Sequence, residues 1–185
     1  MENSPLPQHP LDATLASVDG ETVLTLQRLL PAPASDVWTA LTVRRLVGRW
    51  APYRPSRDLT EPGRVELPES PSPSTDETGN PGESRGEVLS VVPGRMLSLE
   101  WGEDTLDFEV VPANEGTQLR LSHTFSDPEN AASYAAGWHI CLTALDGITE
   151  GIDVPAVTGD RARLYGWDAL HEEYDELFAR SDTSG

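Results

Sequence analysis

The stretch AAGWHICLTALDGI, residues 135 to 148, decides the fold because it lies at the centre of the longest helical pattern in the chain. Apolar side chains recur here every three or four residues, which predicts a helix with one buried face. Asp127-Pro128 offers an N-cap followed by proline at the first helical position, and the pattern ends near Gly151. A helix of this kind needs an apolar surface to pack against. The predicted stripe comprises Ala131, Tyr134, Ala135, Trp138, Cys141, Leu142, Leu145 and Ile148.

An indole, an imidazole and the only thiol of the chain stand within four residues of this helix. Trp138 belongs to the apolar stripe, whereas His139 lies about 100° further round the helix and is expected at its edge, as a hydrogen-bonding residue. Cys141 has no neighbouring base or cation in the sequence to lower its pKa, so we interpret it as a small buried hydrophobic residue.

Four strands with an apolar residue at every second position precede the helix. In the last of them, residues 116–125, Leu119, Leu121, His123 and Phe125 share one face. The sequence Val92-Pro93-Gly94-Arg95 carries the proline and glycine typical of the two central positions of a type II turn. Connections this short imply an antiparallel sheet. The long helix would cover its apolar face and leave a cavity between the two.

The sequence predicts one α+β domain that spans residues 20–152, with further segments before and after it. Residues 1–19 are interpreted as a flexible N-terminal tail, and residues 21–30 as a first strand followed by two short helices that end before Pro52. Residues 68–84 have no large apolar side chain and predict a disordered polar insertion. Residues 153–185 form a C-terminal extension with an amphipathic helix.

Composition excludes several classes of function. The net charge is −18, from 31 acidic residues against 13 basic ones, so binding to nucleic acid or to an anionic membrane is not expected. All the basic residues are arginine, which removes lysine Schiff-base chemistry. With one cysteine and four scattered histidines, neither a metal site nor another cofactor is expected. No signal peptide or apolar run of membrane length is present, which indicates a cytoplasmic protein.

Five stretches resemble the START-like superfamily, also called SRPBCC or helix-grip proteins. They are residues 29–42, 46–50, 85–101, 116–125 and 135–145, and they occur in the order that the superfamily requires. Within it, the chain is most similar to bacterial single-domain members of the family named after homologues of the activator of the heat-shock protein 90 ATPase. The resemblance implies a curved antiparallel sheet wrapped around a long C-terminal helix. In the short segment GRVEL, residues 63–67, the chain departs from the family, because this strand runs directly into the polar insertion.

The resemblance also implies a cavity for an apolar ligand such as a lipid or polyketide. His123 is the most informative polar residue, because alternation turns it toward the long helix, where it could orient a ligand or be satisfied by protein groups. Trp138 could either pack or donate its indole N–H into the cavity. The predicted ligand-binding residues are Trp50, Leu99, Trp101, Phe108, Leu121, His123, Trp138, Leu142 and Leu145.

Two other functions stay open. On the same scaffold, a small cyclase or hydrolase would use His123 as its general base, although no second catalytic group is evident in the sequence. A co-chaperone-like module would bind a protein partner through the outer face of the sheet. Asp107 and Glu109 are interpreted as part of that solvated outer face rather than as a catalytic carboxylate pair.

Overall fold

The computed structural model describes residues 9–69, 85–155 and 157–182. The strands are β1 (Ala13–Val18), β2 (Glu21–Leu30), β3 (Gly63–Glu66), β4 (Arg85–Val92), β5 (Met96–Trp101), β6 (Asp104–Ala113) and β7 (Gly116–Phe125). The α-helices are α1 (Ala34–Thr42), α2 (Arg44–Trp50), α3 (Ala131–Thr149) and α4 (Trp167–Asp182). Two 3₁₀ segments cover Pro128–Asn130 and Gly159–Tyr165.

The seven strands form one antiparallel sheet in the order β1-β2-β7-β6-β5-β4-β3, and α3 packs on its apolar face. Register brings the predicted apolar positions together, since Leu106 of β6 lies opposite His123 of β7. At Gly94 the backbone has φ 73°, and the N–H of Arg95 donates to the carbonyl of Val92 at 2.9 Å, which confirms the type II turn. The predicted α+β helix-grip fold is therefore confirmed.

The N-terminal boundary differs from the expectation. Residues 13–18 were assigned to a flexible tail, but they form β1 and pair with β2 from Val18–Glu21 to Ala13–Leu26. Five of the six side chains of β1 are exposed, so backbone pairing rather than an apolar face holds this strand. The turn at Asp19 and Gly20 has positive φ at both residues, the geometry of a type I′ hairpin. Residues 1–8 lie outside the described part of the chain.

The start of α3 is also later than predicted. Asp127 caps the preceding 3₁₀ segment, where its side chain accepts from the backbone N–H of Glu129 at 3.0 Å, and α3 itself begins at Ala131. The prediction placed this cap at the head of the long helix. The short strand expected around residue 65 is β3, with four residues paired to β4. From residue 70 onward, the predicted polar insertion lies outside the described residues.

The predicted C-terminal extension contains α4, which packs against α3. Tyr174 is fully buried and Phe178 nearly so, while the acidic side chains of residues 168–176 are exposed. Tyr174 also forms a 2.8 Å hydrogen bond through its hydroxyl to Nδ1 of His139 on α3. Among the described helices, none combines the length and apolarity that a membrane span requires.

Candidate functional site

A chain of hydrogen bonds joins α3 to the sheet. The indole N–H of Trp138 donates to Nδ1 of His123 at 3.0 Å, and Nε2 of His123 lies 2.9 Å from Oδ2 of Asp104. His123 is fully buried, whereas about a fifth of the Asp104 side chain, 22%, is exposed. Alternation along β6 places Asp104 on the same face as Leu106, and a two-residue turn separates it from Trp101 of β5.

These contacts select one tautomer of the neutral His123 ring. Because Nδ1 accepts from Trp138, the neutral ring carries its proton on Nε2 and donates to Asp104. No ring nitrogen of this tautomer remains to accept a proton from a ligand. No second catalytic group beside His123 was evident in the sequence, but the Asp104 carboxylate lies within hydrogen-bond distance of its ring. In this arrangement His123 holds the Trp138 indole in place.

Most of the predicted ligand-binding residues are packed between the sheet and α3. Seven of the nine predicted ligand-binding residues are at most 1% exposed. Side chains without exposed surface border no space large enough for a water molecule, so these seven line no open cavity. Edge-to-face contacts hold the rings together: Phe108 lies 6.1 Å from Trp50 and 6.3 Å from Trp138 between ring centroids. The seven packed residues are Trp50, Leu99, Phe108, Leu121, His123, Leu142 and Leu145.

The two remaining predicted residues, Trp101 and Trp138, border a pocket at the N-terminal half of α3. The volume of this space is about 190 Å³, and we call it the aromatic pocket. Its walls include Pro52 after α2, Trp101 of β5, one side of α3, residues 157–159 with Ala162, and Trp167 at the start of α4. The α3 residues that border it are Ser133, Tyr134, Gly137, Trp138 and Cys141.

Among the described residues that line this pocket, four carry aromatic rings and none carries a charged side chain. The Trp101 and Trp138 rings meet edge to face at 6.5 Å, and the Tyr134 ring packs at 4.6 Å from His123. Burial raises the pKa of Tyr134, and the nearby carboxylates of Asp104, Asp127 and Glu69 raise it further. The hydroxyl of Tyr134 therefore stays protonated at neutral pH.

Cys141 offers no nucleophile to the aromatic pocket. Burial raises the pKa of its thiol to about 12, so the sulfur remains protonated at neutral pH. This agrees with its interpretation as a small buried hydrophobic residue.

A buried polar cluster lies on the other side of α3, toward β2 and α4. Burial, Arg28 and His9 together lower the pKa of His139 to about 3, so its ring is neutral beside Tyr174. His9 Nε2 lies 3.1 Å from Oδ2 of Asp146, although the two atoms form no hydrogen bond. Within the described residues, no three metal-ligating side chains group closely enough to hold an ion.

Sequence reasoning missed most of the aromatic pocket. Tyr134 and Cys141 were on the predicted stripe, but the stripe was interpreted as facing one continuous cavity. Trp167 follows Gly166, whose φ of 85° turns the chain into α4, and no pattern in the sequence places that turn beside α3. The position of Asp104 could have been found, because it shares the period-two face of Leu106.

Comparison with known proteins places the chain in a family. Its fold is similar to that of CalU16 from Micromonospora echinospora, with a TM-score of 0.65 and 21% identity over 98% of each chain. It is also similar to EF2215 from Enterococcus faecalis, a conserved protein of unknown function, with a TM-score of 0.64 and 18% identity over 89% of each chain.

DynU16, a protein in the dynemicin biosynthetic locus, has a TM-score of 0.58 and 20% identity over 74% of this chain and 50% of its own. No curated protein matches the sequence. The family model of Activator of Hsp90 ATPase homolog 1-like proteins matches residues 31–150, which is more than half of the chain. The chain therefore belongs to the family of Activator of Hsp90 ATPase homolog 1-like proteins.

Proposed function

We propose that the protein binds a small apolar or aromatic molecule in the aromatic pocket. The observation that carries this proposal is the space of about 190 Å³ bordered by Trp101, Tyr134, Trp138 and Trp167. Pockets for drug-sized ligands measure about 300–1,000 Å³, so this one suits one or two fused rings or the end of a longer molecule. The proposed site thus keeps two of the nine predicted residues and moves the ligand away from the packed interior.

Burial of ring surface would supply most of the affinity. Aromatic pairs gain about 0.5–1.5 kcal/mol beyond the burial of their area, and several rings here can contact one ligand. Ser133, Tyr134 and Thr158 are among the lining residues, and their hydroxyls could orient a carbonyl or hydroxyl of the ligand. His123 would influence the ligand indirectly, because its hydrogen bond positions the Trp138 indole.

The comparisons support a small-molecule role without naming a ligand. The resemblance to START-like proteins implies an apolar ligand, and DynU16 is a protein in a biosynthetic locus. An enzyme with His123 as general base has less support, because both ring nitrogens are occupied by protein groups.

A protein partner on the outer face of the sheet is a second candidate. Four apolar side chains on that face, Leu29, Val92, Met96 and Val111, are 45–48% exposed. Met96 lies opposite both Val92 and Glu109, and Leu29 and Val111 both lie opposite Gln118. The four therefore gather toward one end of the sheet. Binding there would shift amide signals of β4, β5 and β6 and leave the aromatic pocket unchanged.

A titration with naphthalene and indole, followed by ¹H–¹⁵N NMR, tests the proposal. The indole signals of Trp101 and Trp167 should shift and saturate. The signal of Trp50 should stay in place, because its N–H is bonded to the carbonyl of Ala40 in the packed core.

A plug variant controls for the site. At Gly137 an added Cβ would meet no atom within 4 Å, so Gly137→Leu should fill the pocket without disturbing α3. We expect saturable binding to the wild type and at least tenfold weaker binding to Gly137→Leu, with an unchanged amide spectrum elsewhere. Equal binding to both proteins, or shifts confined to other parts of the chain, would contradict the proposal.

A further inference from the structure

We propose that the ligand of the aromatic pocket is an organic cation, a protonated or quaternary amine carried on a small apolar body. This inference rests on the proposed function and adds the charge of the ligand to it. Three features of the site support it: the kind of ring that lines the pocket, the sign of the charges around it, and the lack of a basic side chain among the described lining residues.

The lining is of the kind that binds cations. Three of the four rings are indoles, the side chain whose face attracts a cation most strongly, and the fourth is a phenol. Trp101 and Trp138 meet at an interplanar angle of 70°, so their faces point in different directions. Tyr134 and Trp167 complete the lining, and such an arrangement can surround an ammonium group that has left water.

The charges around the pocket are negative on the side of Tyr134. Asp104 is held there by its bond to His123, whose ring lies 4.6 Å from that of Tyr134. Asp127 follows Phe125 by two residues, and the Phe125 ring lies 4.8 Å from Tyr134. Both carboxylates, together with Glu69, act on the Tyr134 hydroxyl. All three carboxylates would attract a cation in the pocket.

In the described part of the chain, no basic side chain at the pocket wall compensates for these carboxylates. The covering 3₁₀ segment Gly159–Tyr165 carries Arg161 and Arg163, but both side chains are exposed and neither lines the pocket. Arg163 also pairs with Asp168 at 3.6 Å. His171 stacks on Trp167 at 5.0 Å and is absent from the lining. With a net charge of −18, the protein would repel an anion and attract a cation.

A pair of isosteres tests this inference. Phenyltrimethylammonium and tert-butylbenzene have the same shape and differ by one positive charge, so their affinities isolate the charge from ring burial. We expect the cation to bind about tenfold more tightly at low ionic strength, and this advantage to shrink as salt is added. Both affinities are measured by NMR titration on the wild type and on Gly137→Leu.

Two further variants locate the effect. Trp101→Leu keeps an apolar wall but removes a π face, so it should weaken binding of the cation more than that of tert-butylbenzene. Asp127→Asn keeps a side chain able to cap the 3₁₀ segment and removes one charge. It should weaken binding of the cation by about twofold to threefold and leave the neutral compound unchanged.

The outcomes separate the two proposals. Equal affinity for the two isosteres would overturn the inference about charge and leave the aromatic pocket as a binding site. If neither compound nor the neutral aromatics bind, the proposed function falls together with the inference. Tight binding of the cation that persists in Gly137→Leu would place it on the acidic surface and overturn the inference alone.

Discussion

The two ends of α3 use the space beside the helix in opposite ways. At Gly137 an added Cβ would meet nothing within 4 Å, and this residue borders the aromatic pocket. At Gly147, ten residues later, an added Cβ would lie 2.7 Å from Cγ2 of Val154. One glycine therefore leaves a space open, and the other lets a buried residue approach the helix. The sequence shows two glycines in one helix and does not distinguish these roles.

The buried polar groups around α3 also differ in how completely they are hydrogen-bonded. Near the pocket, His123 is satisfied on both ring nitrogens, by Trp138 and Asp104. Toward α4, buried atoms of His9, Arg28 and Asp146 have no hydrogen-bond partner among the described residues. The open end thus has a satisfied polar network and vacant apolar space, whereas the closed end is packed around an incompletely bonded polar cluster. Ligand binding needs the first arrangement.

The largest expected effect is on the face of α3 that packs against the sheet. Leu142 is fully buried there, so Leu142→Ala should lower the free energy of unfolding by about 2–5 kcal/mol. Ser133, at the pocket, is partly exposed, and Ser133→Ala should change the free energy of unfolding by less than about 0.5 kcal/mol. Urea denaturation measures both. A cost below 1 kcal/mol for Leu142→Ala would mean that the interior contains a cavity after all.

The second effect concerns the buried polar cluster on the other side of α3 and depends on pH. His139 has a pKa lowered to about 3 in the folded protein, mainly by burial and then by Arg28 and His9, against the usual 6.5. Between these values the unfolded state binds a proton that the folded state does not, so stability falls as the pH drops from 6.5 toward 3. The slope due to this one group approaches about 1.4 kcal/mol per pH unit.

The variant His139→Gln isolates that contribution from the carboxylates. Glutamine can still bond to the Tyr174 hydroxyl but does not titrate. Denaturation curves at pH 7 and pH 4.5 should show a smaller loss of stability on acidification for His139→Gln than for the wild type. Equal losses in the two proteins would show that His139 is protonated in the folded state and that the buried polar cluster admits water.

The difference between the two ends also explains what the sequence could predict. Period-two and period-3.6 patterns placed β4 to β7 and α3 correctly, because each of these elements buries one face. The same reasoning missed β1, whose side chains are mostly exposed, although Asp19-Gly20 before the alternating β2 was a hairpin signal.

The candidate site was harder to predict for a physical reason. Periodicity identifies a buried face but does not show whether its side chains are packed against a neighbouring element or border a cavity. Leu142 and Tyr134 could therefore not be distinguished as cavity-lining residues. What opens the pocket is the path of residues 157–167, which no repeating pattern specifies. The hydrogen bond from Trp138 to His123 was within reach of the sequence, since both residues were placed on facing surfaces.

The smallest expected effect compares the two glycines directly. Gly137→Ala should raise the free energy of unfolding by about 0.5–1 kcal/mol, because alanine lowers the entropy cost of forming the helix and its methyl group enters free space. In Gly147→Ala the methyl group must displace the side chain of Val154, which is nearly buried, so overpacking offsets the gain or exceeds it. Thermal and urea denaturation of the two variants give this difference with the wild type as reference. If both substitutions stabilise equally, the loop that carries Val154 yields at no cost, and the closed end of α3 is as adaptable as the open one.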